Sequence, residues 1–325
     1  MSGPVSVVRS LEAELRGRAR DALEWLSGER HGCYGLALVR IGYGVILLAM
    51  LLVNYADRRL LWGPESPWTP DLFRETLAVD GTFSVFAFSD SPIVFEMLYH
   101  GFIVVVILFI LGWRGRWITP VLTVMVWSWH QREPWVLDGG DNLMMLMMIY
   151  FVLTDMSARW SLDARRRDGW LAEPSVGRSM ATVLHNCGLI AAMIQVCVVY
   201  MNAGLLKVQG EVWQQGIALY YTLRIEESQL FPALNELLWR NPWFVTVGTY
   251  TAVFVQLLFP FLMLNKVTRR LGLVVVMSMH MGIAVVMALP FFSLTMIASD
   301  LLFIRTATYV RLSGVVRTWW QRAVN

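Results

Sequence analysis

The sequence predicts an all-α integral membrane protein: a polytopic bundle of about eight transmembrane helices, with amphipathic helices at both termini and an extracytoplasmic loop cap. Three observations carry this expectation. Of the 325 residues, 56% are hydrophobic and only 16% charged, against about 25% charged in ordinary soluble domains. Mean hydropathy is +0.52. The apolar residues are also gathered into long runs, and a bilayer core needs roughly 20 apolar residues as a helix. The 15 Trp residues suit a chain with many membrane–water interfaces.

Apolar runs that reach or approach this length fall at 34–53, 92–112, 116–130, 142–156, 183–206, 243–264, 270–289 and 290–305. The third and fourth are short. Pro290 separates the last two, which form either one kinked feature or two spans. Ahead of the first run, residues 1–33 hold Val8, Leu11, Leu15, Ala19, Leu23 and Leu26 at helical spacing among charged residues. This is the pattern of an amphipathic helix on the cytoplasmic membrane face. Residues 306–325, with Trp319, Trp320 and nearby Arg, read the same way. The first 31 residues lack the apolar core of a cleavable signal peptide, so targeting is expected to fall to the first span. The transmembrane domain itself is expected over 34–305.

Lys and Arg placement sets the expected orientation. With the N-terminus inside, 19 basic residues fall on cytoplasmic segments and 7 on outer loops. The reading is a plasma (inner) membrane protein, multi-pass, with both termini cytoplasmic. The outer loops are then 54–91, 131–141 and 207–242. Two of them are long and rich in Trp and Pro, and are expected to fold over the outer face.

The net charge of +3 is small, and no basic patch with interleaved aromatics argues for nucleic acid. Cys33, Cys187 and Cys197 form no C-x-x-C pair and suggest neither a disulfide framework nor a metal cluster. His100, His130 and His280 lack metal-ligand spacing, so no metal is expected.

Polar residues inside apolar runs mark candidate sites, because burying them in lipid is costly. Arg40 lies early in the first span. It holds an anion or lipid headgroup, snorkels to the interface, or pairs with another helix. Asp138, Asp141 and Asn142 open the fourth helix. Gly139 and Gly140 permit a tight turn there, and Asp141 or Asn142 can cap the helix; two acids and an amide leave room for a binding role. Asn202 and Lys207 lie at the outer end of the fifth helix, where Ala203 and Gly204 allow close helix contact. Lys207 either snorkels or is a partly desolvated amine able to act as a base. His280 sits mid-span in the seventh helix, either a satisfied core residue or a proton shuttle or ligand. All but Arg40 and His280 fall on the expected outer side, with His280 near mid-membrane, so a cavity opening outward would gather them.

The segments LALVRIGYG, DGGDN followed by WSLD, AGLLKVQGEVWQQG, and MH followed by MIASDLLF resemble, in order and spacing, the horizontally transferred transmembrane family, HTTM. The resemblance runs over about 34–305 and includes the membrane domain of vitamin K-dependent gamma-carboxylase. It implies a quinol-dependent enzyme core open to the extracytoplasmic side. Its substrates would be a reduced, vitamin K-like quinone with O₂ and CO₂, and a peptide. Lys207 takes the place of the base and His280 that of the late-helix histidine, with Trp213 and Gly216 following the Lys. Asp141, Asn142 and Leu143 stand where the carboxylase has Asn-Asn-His, so one histidine is missing. The expectation is therefore a smaller or different reaction than client carboxylation. The family also includes bacterial accessory proteins for peptide maturation. A non-catalytic accessory or immunity protein is thus the alternative, with a lipid-binding or transport protein third; no internal repeat supports transport.

Overall fold

In the computed structural model, which describes residues 4–132, 135, 137–167 and 176–314, every described element is helical. Helix α1 (Pro4–Gly28) precedes α2 (Cys33–Val53). Two short helices, α3 (Arg58–Leu61) and α4 (Pro70–Asp80), lead to α5 (Pro92–Leu111) and α6 (Gly115–Arg132). Then come α7 (Gly139–Phe151), the short α8 (Leu162–Arg167) and the long α9 (Val176–Gln209). Three short pieces follow, α10 (Glu211–Gln214), α11 (Ala218–Thr222) and α12 (Pro232–Trp239). The chain continues through α13 (Pro242–Leu257), α14 (Phe259–Leu262), α15 (Lys266–Val286) and α16 (Pro290–Asp300).

All eight apolar runs are therefore helical, but they are not equal. Among the described residues, four helices are long and apolar enough to cross a membrane: α2, α5, α9 and α15. A fifth arises if the pair Pro290–Phe303 and Thr306–Gly314, bent by 102°, is taken as one span. The other helices fall short in length or apolarity: α6 has 18 residues, α13 has 16 and α7 has 13. Pro290 opens a new helix rather than kinking one, since α15 ends at Val286 and Ala288 adopts a left-handed φ of 50°. The two helices then pack along one another. Large apolar side chains stay exposed along the long helices, as at Ile194, Val198 and Leu206 of α9 and Leu271, Val274 and Met281 of α15. Water does not favour such a surface; lipid does. Residues from 315 onward, including Trp319 and Trp320, lie outside the described part.

The helix ends gather into two clusters. At one end Arg40 is buried, within reach of the charge of Asp163. Its guanidinium donates to the carbonyls of Met156 (3.1 Å), Phe109 (2.8 Å), Trp160 (2.6 Å) and Ile110. The Phe109 and Ile110 carbonyls lie in the last turn of α5, where helical partners run out. Gly112, at φ 63°, closes that helix, and a Cβ there would stand 2.4 Å from Ser161 Cβ. Asp163, the acid of WSLD, accepts from the amides of Arg114 (2.9 Å) and Gly115 (2.8 Å) at the start of α6. The same end holds α1 in place. Buried Asn186 donates to the carbonyls of Leu26 and Glu29 and accepts from the His31 amide, while Arg30 pairs with Asp155.

At the opposite end, residues 54–91 fold onto α5 and α6. Arg58 forks onto Glu96 with two bonds of 3.0 Å, and Ser84 donates to the Ser128 carbonyl at 2.9 Å. Trp62 meets Trp129 edge to face, with centroids 4.9 Å apart. Residues 207–242 pack on α13 and α15: Asn235 donates to the Val286 carbonyl at 2.9 Å and Tyr250 to the Gln214 carbonyl at 2.9 Å.

Candidate functional site

The site is built on α9, α15 and α16. Lys207 stands two turns beyond Tyr200 on α9, at the end of the bundle that holds the 54–91 and 207–242 segments. Its amine is half-buried, donates to the Ala203 carbonyl at a long 3.5 Å, and lies 5.1 Å from the centroid of the Trp213 indole. The tight turn Gly210–Gly216 brings Trp213 there: a Cβ on Gly210 would stand 2.9 Å from the indole. Cation and indole face thus form a cation–π pair in a partly desolvated setting.

His280 of α15 is buried, and neither ring nitrogen has a hydrogen-bond partner among the described residues. Its ring sits between two aromatic neighbours, with centroids 5.9 Å from Tyr200 and 5.5 Å from Phe292. Lys207 is close enough for its charge to act on the ring. The Tyr200 hydroxyl donates to Asp300 Oδ2 at 3.0 Å. Asp300 is fully buried at the end of α16, and its other oxygen has no partner among the described residues. Beside it, Tyr43 of α2 and Ser299 share a 2.7 Å hydrogen bond, and Ser299 donates to the Thr295 carbonyl. The polar groups therefore form a file leading from Lys207 into the bundle. Buried polar groups in proteins are nearly always paired; in the file His280 Nδ1 and Nε2 and Asp300 Oδ1 have no partner among the described residues, as do single atoms elsewhere in the bundle such as Trp129 Nε1 and Gln256 Oε1.

The four-residue stretch at the start of α7 joins the file through packing. Asp138, rather than Asp141 or Asn142, is the N-cap, accepting from the amides of Gly140 (2.6 Å) and Asp141 (3.2 Å). Asp141 returns the bond to the Asp138 amide at 3.0 Å, completing a capping box. Gly140 serves close approach rather than the turn: a Cβ there would stand 2.8 Å from Phe292 Cα. Phe292 thus bridges the capping box and His280.

Of the residues singled out in sequence, Lys207 and Trp213 come together with His280 within reach of the Lys207 charge, while Gly139 and Gly140, between Asp138 and Asp141, pack against Phe292. Asn142 and Asn202 are exposed on their helices. Arg40 lies with the Trp160 end of the bundle, away from Lys207. Asp300, Tyr200 and Tyr43 escaped the sequence reading. Asp300 carried the same signal as His280, an ionisable group within an apolar run. The two tyrosines carried none, because a phenol is indistinguishable from a packing aromatic until its hydroxyl is placed.

The HTTM domain profile matches residues 33–307. Two Bacillus subtilis (strain 168) proteins are similar over most of their length. The uncharacterized protein YitO is 28% identical over 228 residues, covering 68% of this chain and 71% of that protein. The sporulation-delaying protein SdpB is 25% identical over 277 residues, covering 82% of this chain and 80% of its own. No solved structure matches. With its helices, its file of polar residues and a match spanning most of the sequence, the chain belongs to the HTTM domain family.

Proposed function

We propose that this HTTM protein is a membrane enzyme that removes a proton from a lipid-soluble substrate, with Lys207 as the base and His280 as its partner. One observation carries the reading: a half-buried amine under Trp213, next to a buried imidazole with both nitrogens unpartnered. A base near lipid needs a polar group to pass its proton on. The substrate class is a reduced quinone or similar isoprenoid, as the family resemblance implies, with O₂ and CO₂ as co-substrates where carboxylation follows. Exposed Leu205, Leu206 and Val208 flank Lys207, which suits entry from the side through lipid.

The same proposal places the chain in the plasma membrane with about eight crossings and both termini cytoplasmic. The helical state of all eight apolar runs and their alternation between two ends support it. Residues 54–91 and 207–242 then cap the extracytoplasmic face.

The test is mass spectrometry of lipids and quinones that copurify in native nanodiscs, wild type against Lys207→Ala. A stoichiometric quinone depleted in the variant supports the enzyme. No enrichment in either sample, with both folded, sinks it. A second reading, as the family resemblance implies, is a non-catalytic accessory protein for peptide maturation or immunity; the similarity to the sporulation-delaying protein SdpB fits an accessory role. On that reading Lys207→Ala is silent, while changes in 54–91 or 207–242 break an assembly.

A further inference from the structure

The hairpin of α15 and α16 carries a group of cations that no acid among the described residues neutralises. The two helices pack along one another across the short link 287–289. At a helical rise of 1.5 Å per residue, Arg269 lies about 26 Å back from the end of α15, and Arg305 about 23 Å on from Pro290. The two arms thus bring both residues to one level, and Arg305 is close enough for its charge to act on Arg269. Lys266 and Arg270 lie within one turn of Arg269 on α15. No side chain of these four residues makes an ion pair or a hydrogen bond among the described residues. Other shielded cations of the chain are balanced: Arg30 by Asp155, Arg58 by Glu96 and Arg40 by carbonyls. Arg269 is half-buried, and its Nε is buried with no acceptor. A buried donor without an acceptor is costly, and neighbouring like charges repel. One anion between Arg269 and Arg305 removes both penalties.

Arg305 also marks a boundary. Pro290–Phe303 and Thr306–Gly314 are bent by 102° across it, so a chain that runs through the bilayer along α16 turns here to follow its surface. That places Arg269 and Arg305 at the level of lipid headgroups. From there into the bilayer the α15 surface is apolar and open: Leu271 is 63% and Val274 65% exposed, one turn apart. We propose that Arg269 and Arg305 form a binding site for one anionic phospholipid, holding its phosphate between their guanidiniums with an acyl chain along Leu271 and Val274. Planar guanidinium forks match phosphate oxygens in pairs. The exposed Lys266 and Arg270 add attraction for a negative headgroup. The apolar strip favours a lipid over free phosphate, which has no use for it. The site is separate from Lys207: the far end of α15, where Val286 accepts from Asn235, is the end that meets the 207–242 segment.

The experiment is native mass spectrometry of the full chain in detergent, titrated with phosphatidylglycerol as the probe. Wild type is expected to bind one phosphatidylglycerol about tenfold or more tightly than the double variant Arg269→Gln/Arg305→Gln. Zwitterionic phosphatidylcholine is not retained. Arg166→Gln, on an exposed position of α8 at the same end of the bundle, removes the same charge and leaves binding within about twofold of wild type. Arg269→Lys keeps the charge without the fork and falls between wild type and Arg269→Gln. Each single Gln variant is read alone, so failure of the double variant to fold does not block the test. Wild-type binding in both single Gln variants, or equal retention of the two lipids, overturns the proposal and leaves only general surface attraction. Binding of inorganic phosphate with no retained phosphatidylglycerol also overturns it, in favour of a free-anion site. The readout involves neither Lys207 nor a quinone, so it stands or falls apart from the enzyme reading.

Discussion

Gly204 of α9 lies against the backbone of Leu257 in α13: a Cβ built on Gly204 would stand 2.6 Å from the Leu257 amide nitrogen and 2.7 Å from its Cα. Backbone cannot swing aside as a side-chain tip can, so the two helices must separate to admit even a methyl group. Lys207 sits one turn further along α9, and Gly204 therefore sets where its amine stands relative to α13. Gly204→Ala is expected to cost about 1–3 kcal/mol, the usual range for overpacking. Gly282→Ala, where nothing lies within 4 Å, serves as the comparison. Thermal unfolding in detergent of both variants checks this. Equal midpoints for the two would show that α9 and α13 are not in this contact.

Arg40 yields a second expectation. Its guanidinium gathers carbonyls from the end of α5 and from the 156–160 segment. Arg40→Ala leaves these carbonyls buried without a donor, at a cost of about 1–3 kcal/mol for each unsatisfied group. Arg40→Lys recovers only part, because a single ammonium cannot reproduce the planar fork. Both variants should unfold earlier than wild type, Ala before Lys. Quinone content per folded molecule should stay at the wild-type level in Arg40→Lys. On the proposed quinone-dependent reading, a folded Arg40→Lys depleted of quinone would place Arg40 in the binding site.

The division between legible and illegible features follows from these contacts. Helices were readable because apolar runs announce themselves without neighbours, as in α2 and α9. The glycine at 204 was readable because a small residue beside an apolar face has one common use. The role of Arg40 was not, since its partners are main-chain carbonyls, which every residue possesses and no sequence marks. Asp300 was hidden by its context, MIASDLLF, where it also served as a family landmark. The 142–156 run overshoots its helix because hydropathy continues past the residue where α7 stops, from Phe151 into Val152 and Leu153, whereas α9 extends beyond its apolar run at both ends.

The capping box at α7 separates two neighbouring residues that sequence alone could not rank. Asp138→Ala removes the acceptor for two amides and should cost about 1 kcal/mol, typical of an N-cap. Asp141→Ala removes the reciprocal bond and should cost less. Asn142→Ala, on an exposed position, should leave the unfolding midpoint unchanged. A larger effect at Asn142 than at Asp138 would show that the helix starts elsewhere.

Orientation and the Trp213 cover can be read together by labelling. In intact cells, single cysteines at Glu65 and Glu227 should react with a membrane-impermeant maleimide. One at Glu14 should react only after permeabilisation. Labelling at position 14 from outside, with silence at 65 and 227, would invert the topology and place Lys207 on the cytoplasmic side. In nanodiscs, where both faces are open, Trp213→Ala removes the indole face from above the Lys207 amine. Acylation of Lys207 by an amine-reactive ester, measured by mass spectrometry against Lys266, is then expected to rise several-fold over wild type. Trp213→Phe, which retains a π face, should rise less. The ranking Ala above Phe above wild type follows from a ring that covers the amine. Equal labelling in all three would mean that Lys207 is reached from the lipid side, with Trp213 playing no part in its access.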